Sequence, residues 1–387
     1  VGAAVALYYA VRWFQGWRTR QRRSYFALRL PQNWWLIGTD FQLGSDIDAL
    51  QVDYFKRIAA QRMKPGDKVI LCCAEPHWVF EAAYQDLDPE MNENNLRYLE
   101  TVFAKAGART WVHLAGDLHH YRRHAHADGT QKITAGGGGA FLHPTHGTDV
   151  STLPGGFEQK TAFPTVARSK AMAWGTLLFP FINPKFGWVT GLTYAMAGWW
   201  WQSGGLGMVL GPLLIVAGFI TFTDTHSSWY KRLGGTLHAA MHLSAAYALA
   251  HAAAAATAWV VANPRASILA DGPSWQAVAT GVTLFAGGWI VGSFLMGLYL
   301  LISLNVFGRH SNEAFSALRI EDYKHFVRLH IGADGHLRIF PLGLERVPRA
   351  WKAPVHAPPH AAQLEPDDAR ATPPVSLEPA VVVPPRA

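Results

Sequence analysis

Between Ala171 and Gly308 the chain carries six Asp, Glu, Lys or Arg residues in 138 positions, while the flanks hold the other 55 of its 61. In soluble domains about a quarter of residues are charged. A stretch this long and this poor in charge cannot clothe itself in a solvated surface, so it belongs in lipid. The 387 residues therefore divide into a soluble part expected at 1–170, a membrane part at 171–308, a small soluble element at 309–351 and a tail at 352–387. The total is enough for two or three domains at ~150 residues each.

The few charges cut the apolar stretch into about four expected spans, 186–202, 206–223, 233–262 and 276–307. Arg168, Lys170 and Lys185 precede the first, Lys231 and Arg232 separate the second from the third, and Arg309 and Arg319 follow the fourth. Lys and Arg collect on the cytoplasmic side of a membrane, so these ends and both soluble parts are expected to be cytoplasmic in a multi-pass arrangement. The 202–205 link and the 263–274 loop are expected outside. The net charge of +7 flanks apolar segments and forms no long basic helix, which suits anionic headgroups of a lipid bilayer and argues against nucleic acid as a partner. Cys72 and Cys73 are adjacent and are the chain's two cysteines. They can hardly clamp a fold, and a reducing compartment fits.

The first soluble part alternates. Residues 1–11 are apolar but too short to span. Strands are expected at 24–30 and 34–39 around a Pro31-Gln32-Asn33 turn. A helix follows, with Ser45 and Asp48 as a capping box and Ile47, Leu50, Tyr54 and Ile58 as its apolar face through Arg62. Then come a continuous apolar strand at 68–73, a helix at 92–105 stopped by Gly107, and a strand at 110–114. This order implies a layered α/β sheet, whose chemistry collects beyond the carboxyl ends of the strands, at Asp40, His77 and Asp117. After the last span, 325–332 and 336–342 flank Ala333-Asp334-Gly335, a hairpin signal. From Lys352 Pro and Ala dominate, and disorder is expected.

The strongest chemical constellation is Leu114-Ala115-Gly116-Asp117-Leu118-His119-His120-Tyr121, directly after a strand. Asp117 and His119 lie two apart in a turn and could bend toward one ion, with His77 of Glu75-Pro76-His77-Trp78 supplying a further nitrogen. Mixed nitrogen and oxygen donors suit manganese, iron or zinc rather than a thiolate site. Taken alone, polar loop residues with surface histidines are the plainer account. His120, His143 and His146 are candidates for orienting ligands or substrate oxygens. His238 and His242 share a helix face and could hold haem or metal, although hydrogen bonds between helices explain them more simply. The Gly136–Gly139 run lacks a following Lys-Ser/Thr and reads as a flexible strand exit, and Asp224-Thr225-His226 reads as chance.

The order of a strand ending near Asp40, a strand leading to His77, a strand leading to Gly116-Asp117-Leu118-His119, and then Ile133-Thr134-Ala135-Gly136-Gly137-Gly138-Gly139-Ala140 resembles the second half of the calcineurin-like metallophosphoesterase domain. The resemblance covers roughly residues 12–150. Trp34-Trp35-Leu36-Ile37-Gly38 and Gly139-Ala140-Phe141-Leu142-His143-Pro144-Thr145-His146 resemble a bacterial, membrane-attached branch of that family. It implies the later half of a layered phosphoesterase α/β domain, with His77 as the late single histidine ligand, His119 as the second histidine of the Gly-His-x-His turn, and Asp117 where the first usually stands. It also implies two divalent ions in the complete domain, manganese, iron or zinc, which polarise phosphoryl oxygens and lower the pKa of a bridging water to hydrolyse a phosphate-ester substrate. The family's opening Asp-x-His, Gly-Asp and Gly-Asn-His do not occur before Trp34. The chain is therefore expected to be the carboxyl-terminal portion of such a protein, inactive without an upstream half as partner. Two alternatives stand beside this one: a non-catalytic phosphoesterase-like regulatory module on a membrane protein, and a membrane haem- or metal-binding protein using His238 and His242.

Overall fold

The Lys68–Cys73 run, apolar at every position but the first, has no polar face to offer water, and it forms an interior strand of the sheet, paired on both edges. The computed structural model describes residues 23–42, 45–84, 86–223, 226–262, 273–354 and 364–384; the apolar run 1–11, residues 263–272 of the expected outside loop and the Asp224-Thr225 pair lie outside them. Eight strands make one mixed sheet in the order β1-β2-β3-β4-β6-β5-β8-β7. They are β1 (Phe26–Arg29), β2 (Trp34–Gly38), β3 (Lys68–Cys73), β4 (Arg109–Ala115), β5 (Tyr121–Ala125), β6 (Gln131–Ala135), β7 (Thr152–Leu153) and β8 (Phe157–Phe163). β2, β3, β4 and β6 run parallel, and β1, β5, β7 and β8 are antiparallel to their neighbours.

Side-chain alternation sorts the sheet into two cores. Trp35, Ile37, Val69, Leu71 and Cys73 face helices α1 (Ala49–Arg62) and α3 (Asn94–Lys105), packing on Phe55, Leu96, Leu99 and Phe103. Trp34, Ile70, Trp111, Val112, Tyr121 and Ile133 face the other way, onto Leu337, Ile339 and Val383. The expected hairpin, β9 (Lys324–Ile331) and β10 (Leu337–Leu344), is thus the second covering layer of the sheet, and the Trp34 indole donates to the Gly335 carbonyl at its tip at 3.0 Å. It is not a separate element.

Several expectations need correction. Asp48 alone caps α1, accepting from the Gln51 amide, while Ser45 bonds back to the Gln42 carbonyl. The fully buried face of α1 is Gln51, Phe55 and Ala59; of the expected residues Ile47, Tyr54 and Ile58 pack at its edge against the same core, and Leu50 alone is out of place, 74% exposed. Gln51 can be buried because its amide group pairs with the Asp40 backbone, accepting at 2.8 Å and donating at 2.9 Å. His77 is not in a loop but begins a helix, α2 (His77–Tyr84). The tail expected to be disordered carries strands over its described part. β11 (Trp351–Lys352) pairs with β12 (Glu365–Pro366), and β13 (Val375–Ser376) and β14 (Val381–Val383) pair with β10. Val383 is fully buried, and that apolar anchor is what a Pro/Ala-rich composition hides.

After α4 (Val166–Ala173) come α5 (Gly187–Ser203), α6 (Gly207–Phe222), α7 (Ser228–Ala262), and α8 (Pro273–Gly287) continued through a π-helical turn at Gly288–Gly292 into α9 (Ser293–Phe307), then α10 (Ser311–Leu318). Helices thus occupy all four expected places. Two stretches, Ser228–Val260 and Ala277–Phe307, are long and apolar enough to cross a membrane. α5, at 17 residues, and α6, at 16, fall short of the ~20 that a bilayer needs. Gly288 and Gly292 sit where a Cβ would strike Tyr194 and Thr190, so the π turn packs closely on α5.

Inside the bundle His238 and His242 bond to each other, Nε2 to Nε2 at 3.2 Å. Tyr194 hydroxyl meets His242 Nδ1 at 3.2 Å, and Tyr299 stacks on His238 at 3.8 Å. The two tyrosines reach these histidines from neighbouring helices, the interhelical contact that accounts for such residues most simply. At the helix ends that the basic residues flank, His226 meets Asp88 of the sheet domain at 3.1 Å, and Asn183 donates to the Ala317 carbonyl at 2.9 Å, joining the segment before α5 to α10, which follows the last apolar helix.

Candidate functional site

Between the sheet and the helix ends lies a cavity of about 350 Å³, whose wall includes Asp117, His120, Arg122, His143, His146 and Asn312. The turn after β4 builds its floor. Asp117 takes a left-handed conformation with φ 59, uncommon for a residue other than glycine, and this reverses the chain so that β5 returns beside β6. Gly136 passes so close to the Leu118 carbonyl, and Gly139 to the His119 ring, that a Cβ at either would collide. The glycine run is therefore a close-packed seat for the turn rather than a flexible strand exit.

The histidines are neutral. His143 Nδ1 accepts from the His119 amide at 3.0 Å, and its Nε2 faces Asn312 Oδ1 at 3.1 Å, so Nε2 carries the proton. Burial, and then the charge of His119, brings His143 down to about 4. Burial brings His146 to about 4 as well, with Nδ1 held by Ser169 Oγ at 2.7 Å. His120 is held well below its ordinary value by burial, with Arg122 and His143 adding to it, and neither ring nitrogen has a hydrogen-bond partner.

Arg122 is the exception in charge. It is 4% exposed; Nη2 donates to the Thr145 carbonyl at 2.7 Å, and Nε is buried without a partner. Burial lowers its pKa to about 10, against the pull of Asp149, so it is still a cation at neutral pH. Asp117, across the cavity, is raised by burial and by Glu75, with His119 opposing.

The expected ligand set does not converge. His77 packs its ring on Phe41 at 5.2 Å and faces the Asn92 carbonyl at 3.4 Å, away from the cavity wall. His119 points Nδ1 at the Phe141 carbonyl at 2.7 Å and stacks flat on His143 at 4.2 Å. Of the three, Asp117 alone lines the cavity. Among the described residues no three His, Cys, Asp or Glu side chains come together as metal ligands. These donors do not fit a two-ion centre, and the neighbouring guanidinium would repel one. The residues brought together are instead His120, His143 and His146 with Asp117. The sequence offered no hydrophobic period for the overlooked Arg122, since Tyr121-Arg122-Arg123-His124, directly after the turn, reads as a polar segment.

No family model, curated protein or solved structure matches the chain.

Proposed function

We propose that the chain is a membrane-anchored, phosphoesterase-like module whose cavity binds the phosphoryl group of a phosphate ester. The observation that carries this is Arg122, a buried guanidinium in a cavity wall with one carbonyl as its recorded hydrogen-bond acceptor. Asp149 attracts this charge but no carboxylate bonds to it among the described residues; a buried charge without a bonded counterion costs several kcal/mol, and a phosphate oxygen supplies both the countercharge and the acceptor for its free Nε. Asn312, Ser311 and Thr148 add neutral polar groups around the same space, and neutral His120 can donate one ring proton to a phosphoryl oxygen. The module belongs to a multi-pass protein in this reading, with four helices in the bilayer and the sheet on the cytoplasmic side. Outward-facing Trp188, Leu192, Trp199, Leu213, Leu214 and Trp259 form the apolar belt such a placement needs.

Hydrolysis by two metal ions rests on the resemblance alone. The scattered positions of His77 and His119 favour a non-catalytic binding module on these residues, and equilibrium dialysis with manganese separates the two, since a hydrolase must retain the ion.

The test of the binding site is calorimetry on the detergent-solubilised chain with phenyl phosphate, and with phenol as the uncharged control. Phenyl phosphate should bind and phenol should not. Arg122→Met should weaken binding at least tenfold, as loss of a charge-assisted bond of about 1.5–3 kcal/mol requires. Asn312→Ala, on the cavity's open side, should weaken it less and guards against a folding failure of the first variant. Equal binding of phenyl phosphate and phenol would overturn the proposal.

A further inference from the structure

The phosphate's bearer can be read from where the cavity lies. Its outer wall is made by the ends of the apolar helices: Gly308 directly follows α9, His226 precedes α7, and Ser311 and Asn312 open α10. Its remaining side is apolar, with Val79, Phe80 and Ala83 of α2. Large rings stand exposed around the same helix ends, among them Trp229 at 65%, Phe307 and Phe222, and Phe181 at 79% before α5. Exposed aromatic side chains at the ends of apolar helices mark the level of lipid headgroups.

A second guanidinium sits at this level. Arg309 lies 6.0 Å from the centre of the Tyr84 ring, itself part of the cavity wall, and its Nη1 is buried without a partner. Arg122 thus lines the cavity from the sheet, and Arg309 stands beside its Tyr84 wall at the helix ends. Its volume suits a glycerophosphate headgroup and leaves no room for two acyl chains.

We infer that the cavity takes its phosphate from the bilayer surface, as the headgroup of a phospholipid ending in a phosphate monoester, with the acyl chains left in the membrane. This rests on the phosphate-binding reading above and specifies its ligand. The polar floor would hold the phosphoryl oxygens, the α2 face would pack on the glycerol ester, and Arg309 would meet the phosphate as it enters.

The experiment places the full chain in phosphatidylcholine nanodiscs, with and without phosphatidic acid, and reads retained lipid by native mass spectrometry. Glycerol 3-phosphate binding is measured in parallel by calorimetry. Phosphatidic acid should be retained at least tenfold over phosphatidylcholine, and both Arg122→Met and Arg309→Ala should abolish that preference. Glycerol 3-phosphate binding without preferential retention of phosphatidic acid would overturn the lipid inference and leave the phosphate site standing. Retention unchanged in both variants would also overturn it, since a merely basic surface would then explain the attraction. If neither ligand bound, the phosphate site itself would be wrong.

Discussion

Glu378, far along the tail, reaches back to the strand that carries the cavity's cation. Its carboxylate accepts from Tyr121 Oη at 2.6 Å, Arg123 Nε at 2.9 Å, Arg123 Nη2 at 2.6 Å and Thr161 Oγ1 at 2.8 Å. The two side chains of the ion pair are 12% and 8% exposed. Removing one member of a buried pair typically costs about 3–5 kcal/mol. Arg123 keeps a second acceptor, Gln131 Oε1 at 2.8 Å, so Glu378→Ala should fall at the lower end, about 3 kcal/mol. Glu378→Gln, which retains shape and one acceptor, should lose about 1–2 kcal/mol. Pulse proteolysis with thermolysin across a urea series reads both losses, and mapping the fragments shows whether cleavage moves into 364–384. Burial pushes the Glu378 carboxyl up, but bonds from Arg123, Tyr121 and Thr161 outweigh it and hold it below its ordinary value. A carboxyl depressed in the folded state stabilises above its unfolded pKa and loses that contribution as pH falls through the acid range. The gap between wild type and Glu378→Ala should therefore narrow on acidification. A loss below about 1 kcal/mol at neutral pH, within what an exposed pair gives, would refute the idea that the tail holds β5.

The two remaining predictions concern α1 and the histidines. Phe55→Ala should cost about 3–5 kcal/mol and Leu50→Ala less than about 0.5 kcal/mol, measured in the same urea series; the reverse order would restore the apolar face expected from the sequence. Burial lowers His124, bonded to the Val150 carbonyl at 2.8 Å, from 6.5 to about 4. Between those values the unfolded chain binds a proton that the folded chain does not, so stability should fall as pH drops from about 6.5 toward 4, on the order of 3 kcal/mol from His124 alone. Thermal shift in detergent shows this, and His124→Gln should flatten the slope.

Where burial is all-or-none along a segment, the sequence was legible. The Lys68–Cys73 strand, the helix halted by Gly107 and the helix boundaries set by sparse charge all stand within a few residues of expectation. What stayed hidden was burial of polar groups through bonds to distant residues. Gln51 lies inside because the Asp40 backbone takes both ends of its amide, which no hydrophobic period records, so the centre of the buried face of α1 lies one residue on from the expected one, with Ile47, Tyr54 and Ile58 at its edge. β5 reads as Tyr-Arg-Arg-His-Ala and looks exposed. Its side chains bond to Glu378, the Thr145 carbonyl and the Val150 carbonyl, between 23 and 257 residues away, while Arg122 Nε stays unpaired. His77 was misplaced for a local reason, since Pro76 opens a helix there rather than closing a strand.

The same feature underlies the proposal that the cavity takes an anion rather than a cation pair. Tyr121 and Arg123 alternate toward the C-terminal layer, where Glu378 neutralises them. Arg122, between them, must point the opposite way, into the space facing the helix ends. There its neighbours His120, His143 and His146 are held neutral by burial, and Asp117 lies across the cavity with a carboxyl that burial raises. A divalent ion in that space would meet a fixed like charge in a low-dielectric wall. A phosphate would meet a preformed donor already stripped of water, and the strand pairing that aims Arg122 is anchored on the far face by the tail. The tail's grip and the cavity's charge are thus two sides of one strand. The helices contribute the mouth, ringed by exposed tryptophan and phenylalanine.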